Sequence, residues 1–226
     1  MEAELTFEPL LETALELDEE GLDRRHEAII GDRNIRFLLR ENRIALQKGR
    51  TAVYPALGEE DQGTTYYVVP LICVVHSHPE CRFAWSRLTI DLSPARGTRI
   101  RDMAPLEVRD KPVEIKTSVG LGMKFEMMRR LLGAEVKMEY QHSRTCYYPD
   151  IVSSGIGFDV GYWDFLALTS DYLHSNRELY LLVQAPGGQR PLARFNLTAK
   201  VKLAGVLGSV PLLARKGAID EVYKLD

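Results

Sequence analysis

Glu178-Leu179-Tyr180-Leu181-Leu182-Val183-Gln184-Ala185, then Pro186-Gly187-Gly188-Gln189-Arg190-Pro191, then Leu192-Ala193-Arg194-Phe195-Asn196-Leu197-Thr198-Ala199-Lys200-Val201-Lys202-Leu203: this stretch decides the fold class. Its second arm alternates without a break. Phe195, Leu197, Ala199, Val201 and Leu203 fall on one side, and Arg194, Asn196, Thr198, Lys200 and Lys202 on the other. A period of two marks a β-strand with one wet face. The first arm, Leu179 to Gln184, is apolar on both faces, as in a strand covered on both sides. Pro186, Gly187 and Gly188 supply turn chemistry between the arms. The stretch predicts a β-hairpin.

Other segments repeat the strand signal. Tyr66 to Val75 is rich in β-branched and aromatic residues, with Pro70 predicting an interruption or a new start. Cys81, Phe83 and Trp85 alternate, and after one shift so do Leu88, Ile90 and Leu92, a phase change that predicts a β-bulge. Ile156, Phe158, Val160 and Tyr162 alternate, and past Gly161 Trp163 and Phe165 become the apolar pair. Ala134 to Tyr140 alternates, and Val206 to Leu213 predicts a last strand before a frayed or helical tail at 216–226. Short strands with turns about every ten residues predict an antiparallel β-sandwich, immunoglobulin-like or jelly-roll-like. The expected helices are few and mostly N-terminal. Leu10, Leu11, Ala14, Leu15 and Leu17 suit an amphipathic helix over 8–19. Residues 34–47 suit either a helix or a hairpin that returns through Ile44 and Leu46. The polar loop at 55–65 predicts an N-terminal section, 1–62, that docks partners, and a sandwich body, 63–226.

At 226 residues and 45% hydrophobic content the chain is long enough for a large core. A net charge of −3 gives no basic footprint for nucleic acid. Three cysteines, Cys73, Cys81 and Cys146, are too few and odd in number for a disulfide framework and predict free thiols in a cytoplasmic protein. No run approaches the ~18 apolar residues of a helical membrane span.

Two constellations carry chemistry. Val75-His76-Ser77-His78-Pro79 presents two imidazoles after an apolar strand, a spacing that suits a metal. The string His76-Ser77-His78-Pro79 with Ser86 resembles the core of the JAMM-type zinc metalloproteases. That resemblance implies a zinc-dependent hydrolase, with an acidic ligand three residues after the serine and an upstream glutamate base. Thr89 stands at the acidic position, with Asp91 two residues late. Glu41, Glu59 and Glu60 are candidates for the base, and Cys81, His142 and Cys146 for a third ligand. The second constellation is Tyr162-Trp163-Asp164-Phe165, an aromatic cluster that suits either a core or a partner anchor at Tyr162 and Trp163.

His142 and Cys146 lie four apart without a cysteine-protease signature around them. The arginines at 96, 99, 101 and 109 interleave with acids as a solvated face does. The expectation is therefore a non-enzymatic, cytosolic module that binds another protein and needs no cofactor. The alternatives are a metal-dependent hydrolase on His76 and His78, and a lipid- or membrane-engaging β-protein. The last rests on Val119 to Tyr140, alternating and dotted with Gly120 and Gly122.

Overall fold

The computed structural model describes residues 6–18, 41–55, 63–78, 80–108, 113–118, 139–146, 150–166, 177–203, 210–214 and 220–226. The fold is mainly β, an antiparallel sheet nearly closed into a barrel. In chain order the strands are β1 (Glu8–Leu17), β2 (Arg43–Lys48), β3 (Ala52–Pro55), β4 (Thr64–His76), β5 (Cys81–Asp91), β6 (Arg99–Ala104), β7 (Glu107–Val108), β8 (Val113–Ser118), β9 (Glu139–Cys146), β10 (Asp150–Ser154), β11 (Val160–Leu166), β12 (Arg177–Pro186), β13 (Leu192–Leu203), β14 (Val210–Ala214) and β15 (Tyr223–Lys224). Neighbours run β6-β12-β4-β2-β1-β14-β13-β5-β11-β10-β7, with β3 also on β4 and β15 also on β13. β8 and β9 form a separate two-stranded ribbon.

One continuous sheet replaces the expected pair of facing sheets. Alternation reports which face of a strand is buried, and both architectures bury one face, so the pattern does not separate them. β1 turns the corner between the two halves. Its residues 8–14 pair with β2 and 15–17 with β14. At the far seam, the end strands β6 and β7 are consecutive in the chain and linked through Pro105, which follows a cis peptide bond. The Ile100 N–H donates to the Phe158 carbonyl (2.8 Å) and the Gly157 N–H to the Ile100 carbonyl (2.7 Å), drawing β6 against the β10–β11 turn.

The hairpin expected at 178–203 is not formed. β12 pairs with β4 and β6, whereas β13 pairs with β5, β14 and β15. The link from Pro186 to Pro191 carries the chain across the barrel, and the Gly187 N–H donates to the Gly63 carbonyl. Tight hairpins use two-residue turns. This link is longer, and its two prolines bring no N–H to a ladder. The burial read from the pattern does hold: Phe195, Leu197, Ala199 and Val201 are buried, and so are Leu179, Leu181, Leu182 and Val183 on the first arm.

No helix occurs among the described residues. The stretch expected as an N-terminal helix is β1, with Leu11, Thr13 and Leu15 buried at a period of two. Leucines at 10, 11, 15 and 17 satisfy both periods, and pairing with β2 and β14 decides between them. Of the ambiguous 34–47 segment, Arg43–Lys48 is a strand with Ile44 and Leu46 fully buried; residues 34–40 lie outside the described residues. The section before residue 62 thus gives β1, β2 and β3 to the main sheet.

β4 runs unbroken through Pro70. The Gly49 N–H donates to the Pro70 carbonyl (2.8 Å). Nitrogen and carbonyl of one strand residue point the same way, so the missing donor of Pro70 faces the gap between β2 and β3, where no ladder bond is needed. A bulge is present, but before Trp85 and not after it: the β5·β13 register slips between Trp85↔Lys200 and Phe83↔Val201, which takes Trp85 off the buried stripe of Cys81 and Phe83.

The chain end is tied down instead of frayed. Tyr223–Lys224 pairs with β13, Leu225 is fully buried, and Arg190 meets the Asp226 carboxylate at 3.2 Å. The Tyr223 ring lies 5.8 Å from that of Phe195. Burial, and secondarily the hydrogen bond its hydroxyl donates to Glu221, pushes the Tyr223 phenol up to about 12. The folded state keeps this proton where the unfolded chain gives it up, from about pH 10. Stability is therefore whole below pH about 10 and falls as pH rises toward 12. Alkaline absorbance titration should lose one late tyrosine ionisation in Tyr223→Phe. Denaturation across that window should show a shallower pH slope for the variant.

Candidate functional site

β11, β5 and β13 lie side by side and turn a continuous ladder outward. Direct neighbours across the three strands are Tyr162, Thr89 and Asn196; then Asp164, Arg87 and Thr198; then Leu166, Trp85 and Lys200. The Arg87 guanidinium donates to both Asp164 carboxylate oxygens at 2.7 Å. It also lies 3.9 Å from the Tyr162 ring centroid and 5.4 Å from that of Trp85. The Lys200 ammonium sits 5.6 Å from Trp85. The hydrogen bonds to Asp164 are the main cause that raises the Arg87 pKa further, so the cation is permanent. The two-pronged geometry fixes a side chain that an exposed ion pair would leave loose.

The aromatic pair read from the sequence is split by the pleat. Trp163 is fully buried and donates its indole N–H to the Pro105 carbonyl at 3.2 Å, which puts it inside the barrel and out of a partner's reach. Tyr162 stays on the outer ladder, under Arg87. Phe158, expected on the buried stripe, is 69% exposed in the β10–β11 turn.

His76 ends β4 and is exposed. His78 is half-buried, and its Nδ1 accepts from the Glu80 N–H at 3.2 Å. The His78 N–H donates to Asn42 Oδ1 at 3.1 Å. Cys81, fully buried beside them, has its thiol pushed up chiefly by burial, with a hydrogen bond to Asn42 acting the other way. Beyond Cys81 the chain departs as β5, and each strand residue advances about 3.3 Å. Thr89 therefore lies roughly 26 Å farther along that strand. There it pairs with Tyr162 and Asn196. Ser86 is buried, and Asp91 meets Arg194 at 3.5 Å. Among the described residues no three His, Cys, Asp or Glu side chains gather as a metal site would require. His142 and Cys146 fall on β9, whose side chains lie outside the described set, as do Glu59 and Glu60.

The third feature is the ribbon. β7 pairs with β10 through Ile151↔Val108 and Val152↔Glu107. Five residues on from Val108 is Val113, and five back from Ile151 is Cys146; these two are themselves paired. Val113 to Lys116 of β8 thus keep on β9 the register of the β7–β10 edge, and the register shifts between Lys116 and Ser118. The ribbon leaves at Asp150, which pairs with Leu166, the neighbour of Trp85. The segment 119–138, which the sequence singled out, lies outside the described residues.

The residues of this outer ladder that the sequence did not single out as a site are Trp85, Arg87, Asp164 and Lys200. The phase change between Trp85 and Leu88 is the available signal; the bulge itself falls at Ala84, so Trp85 belongs to the outward register after it. Arg87 and Asp164 meet from strands 77 residues apart, and no local pattern announces that.

No family model matches the chain, and no curated protein matches it. Among solved structures it is similar to a chain titled "Pore forming protein", at a TM-score of 0.32 and 9% identity, over 81% of this chain and 84% of that one.

Proposed function

We propose that this protein is a lipid-engaging β-protein whose β8–β9 ribbon is the element that enters the bilayer. The observation that carries this is the ribbon's register. It continues an edge pair of the barrel, yet it stands outside the main sheet. Its sequence has the dyad pattern of a membrane strand pair. On the first arm Val113, Ile115, Thr117, Val119, Leu121, Met123 and Phe125 alternate with Glu114, Lys116, Ser118, Gly120, Gly122, Lys124 and Glu126, Thr117 being the one polar residue on its side. On the second, Ala134, Val136, Met138 and Tyr140 alternate with Glu135, Lys137, Glu139 and Gln141. Alternation of this kind suits a strand with lipid on one side and water on the other. The alternation covers fourteen residues on the first arm and eight on the second, against the ~9–11 that cross a bilayer. No helix among the described residues is long and apolar enough to do so.

Dye release from phosphatidylcholine–phosphatidylserine vesicles tests the reading. The wild-type protein should release dye. Leu121→Lys puts a charge on the lipid face, which costs about 2–4 kcal/mol at mid-bilayer. It should suppress release while leaving the thermal transition of the barrel in place, and Lys124→Gln on the polar face should release normally. Wild-type protein that releases nothing, or Leu121→Lys that matches it, rejects the ribbon. The second reading, a non-enzymatic module that binds another protein, draws on Phe158 and Val160, exposed at 69% and 44% in and beside one turn. It expects no dye release.

A further inference from the structure

We infer that the cleft holding residues 223–226 is a binding site for an extended peptide of the pattern aromatic–any–leucine–acid, filled here by the chain's own segment. The inference goes beyond the lipid-engaging reading and does not rest on it.

The segment is held at every residue. β15 adds to β13 through Tyr223↔Ala193 and Lys224↔Leu192. The Leu225 N–H then donates to the Pro191 carbonyl at 3.0 Å. Across the cleft the Thr51 hydroxyl donates to the Leu225 carbonyl, and the Lys48 ammonium to the Asp226 carbonyl at 2.8 Å. Alternate side chains of a strand share a face. Tyr223 and Leu225 turn inward, the first with its ring tilted against Phe195 and the second fully buried in the core. Val222, Lys224 and Asp226 are exposed. The Asp226 carboxylate meets Arg190 at 3.2 Å. Strand addition recognises peptides in this way: main-chain bonds hold the strand, and pockets for alternate side chains choose it.

The walls of the cleft are held without their occupant. β13 is paired to β5 through Arg194↔Asp91 and Phe195↔Ile90. The link at 187–191 is fixed by the Tyr67 hydroxyl, which donates to the Gln189 carbonyl at 3.1 Å, and by the Gly187 N–H on the Gly63 carbonyl. Between Lys48 and Thr51, the Gly49 N–H donates to the Pro70 carbonyl at 2.8 Å. None of these bonds involves residues 223–226. A site whose walls keep their place loses little ordering entropy on binding, so one occupant can replace another of the same sequence.

Fluorescence anisotropy with a labelled peptide of residues 219–226 tests the site. The acceptor is the full chain carrying Leu225→Ala with Asp226→Ala, whose own segment is weakened at the buried leucine and at the acid. It should bind the peptide, and a peptide with alanine at the leucine position should bind about 30-fold more weakly. The wild type, whose cleft is filled by a tethered segment, should bind the peptide at least about tenfold more weakly than the acceptor does. Arg190→Glu added to the acceptor should weaken binding about two- to fivefold, most at low salt. Should the acceptor fail to fold, Asp226→Lys alone keeps Leu225 and sets a like charge against Arg190; it should bind the peptide more tightly than the wild type does. A folded acceptor that ignores the peptide, equal affinity for the leucine and alanine peptides, or a wild type that binds as tightly as the variants overturns the site. Dye release from vesicles does not enter these readouts, so loss of the site leaves the ribbon reading standing.

Discussion

Phe195→Ala should cost about 3–5 kcal/mol of folding stability. Phe195 is among the largest fully buried side chains, on the inward stripe of β13. Its neighbours cannot close the void cheaply. β5 holds that strand on one side through Phe195↔Ile90, and Ile90 is itself fully buried. Tyr223, whose ring is tilted against it, is anchored by β15. Truncation therefore loses the transfer free energy of the ring and leaves a cavity. Lys202→Ala on the outward stripe of the same strand should stay within about 0.5 kcal/mol. Denaturant unfolding of the two variants measures the contrast, and equal losses would mean that the strand is turned the other way.

Gly155→Ala should be nearly as damaging, at about 2–5 kcal/mol, for a different reason. Gly155 has φ +118°, and a Cβ there would lie 2.3 Å from the Gly161 Cα and 2.6 Å from the Val160 carbonyl oxygen. Both are backbone atoms, so no side chain can swing aside. The backbone strain and the clash add up at the turn that bonds β6 to the other end of the sheet. Gly157→Ala separates the two causes. Gly157 also has positive φ, +90°, but nothing lies within 4 Å of its would-be Cβ. It should cost about 1–2 kcal/mol, from strain alone. Similar unfolding midpoints for the two variants would show that the clash at 155 is relieved by movement of the turn.

Faces were legible in the sequence and neighbours were not. The alternation at 194–203 gives the buried side of β13 correctly, because burial is a property of one strand. That β12 pairs with β4 and not with β13 is a property of residues more than 100 apart, such as Leu181 and Val69, and leaves no local trace. β1 shows the same limit from the other side. Its leucines fit a helix locally, and only the flanking strands make it extended. At the candidate site the histidines were conspicuous as letters, but β5 carries Ser86 and Thr89 away from them. The outer ladder was nearly invisible, because it joins three unremarkable residues from each of three strands. The phase change between Trp85 and Leu88 is its single written sign, and it does not by itself say that the extra residue is Ala84, which turns Trp85 outward.

The ring is joined unequally. β4 and β12 meet through ten residue pairs, whereas β7 is held to β10 by two. Amide hydrogens of a joint exchange with solvent at a rate set by how often that joint opens. The order of exchange around the ring should then begin at β7, the strand from which the ribbon departs, and end at β4 with β12 and at β5 with β13, each joined by ten pairs. A hairpin rooted on the loosest joint can leave its place while the opposite wall stays shut. Change of partner at the root and persistence of the barrel are thereby made compatible in one sheet.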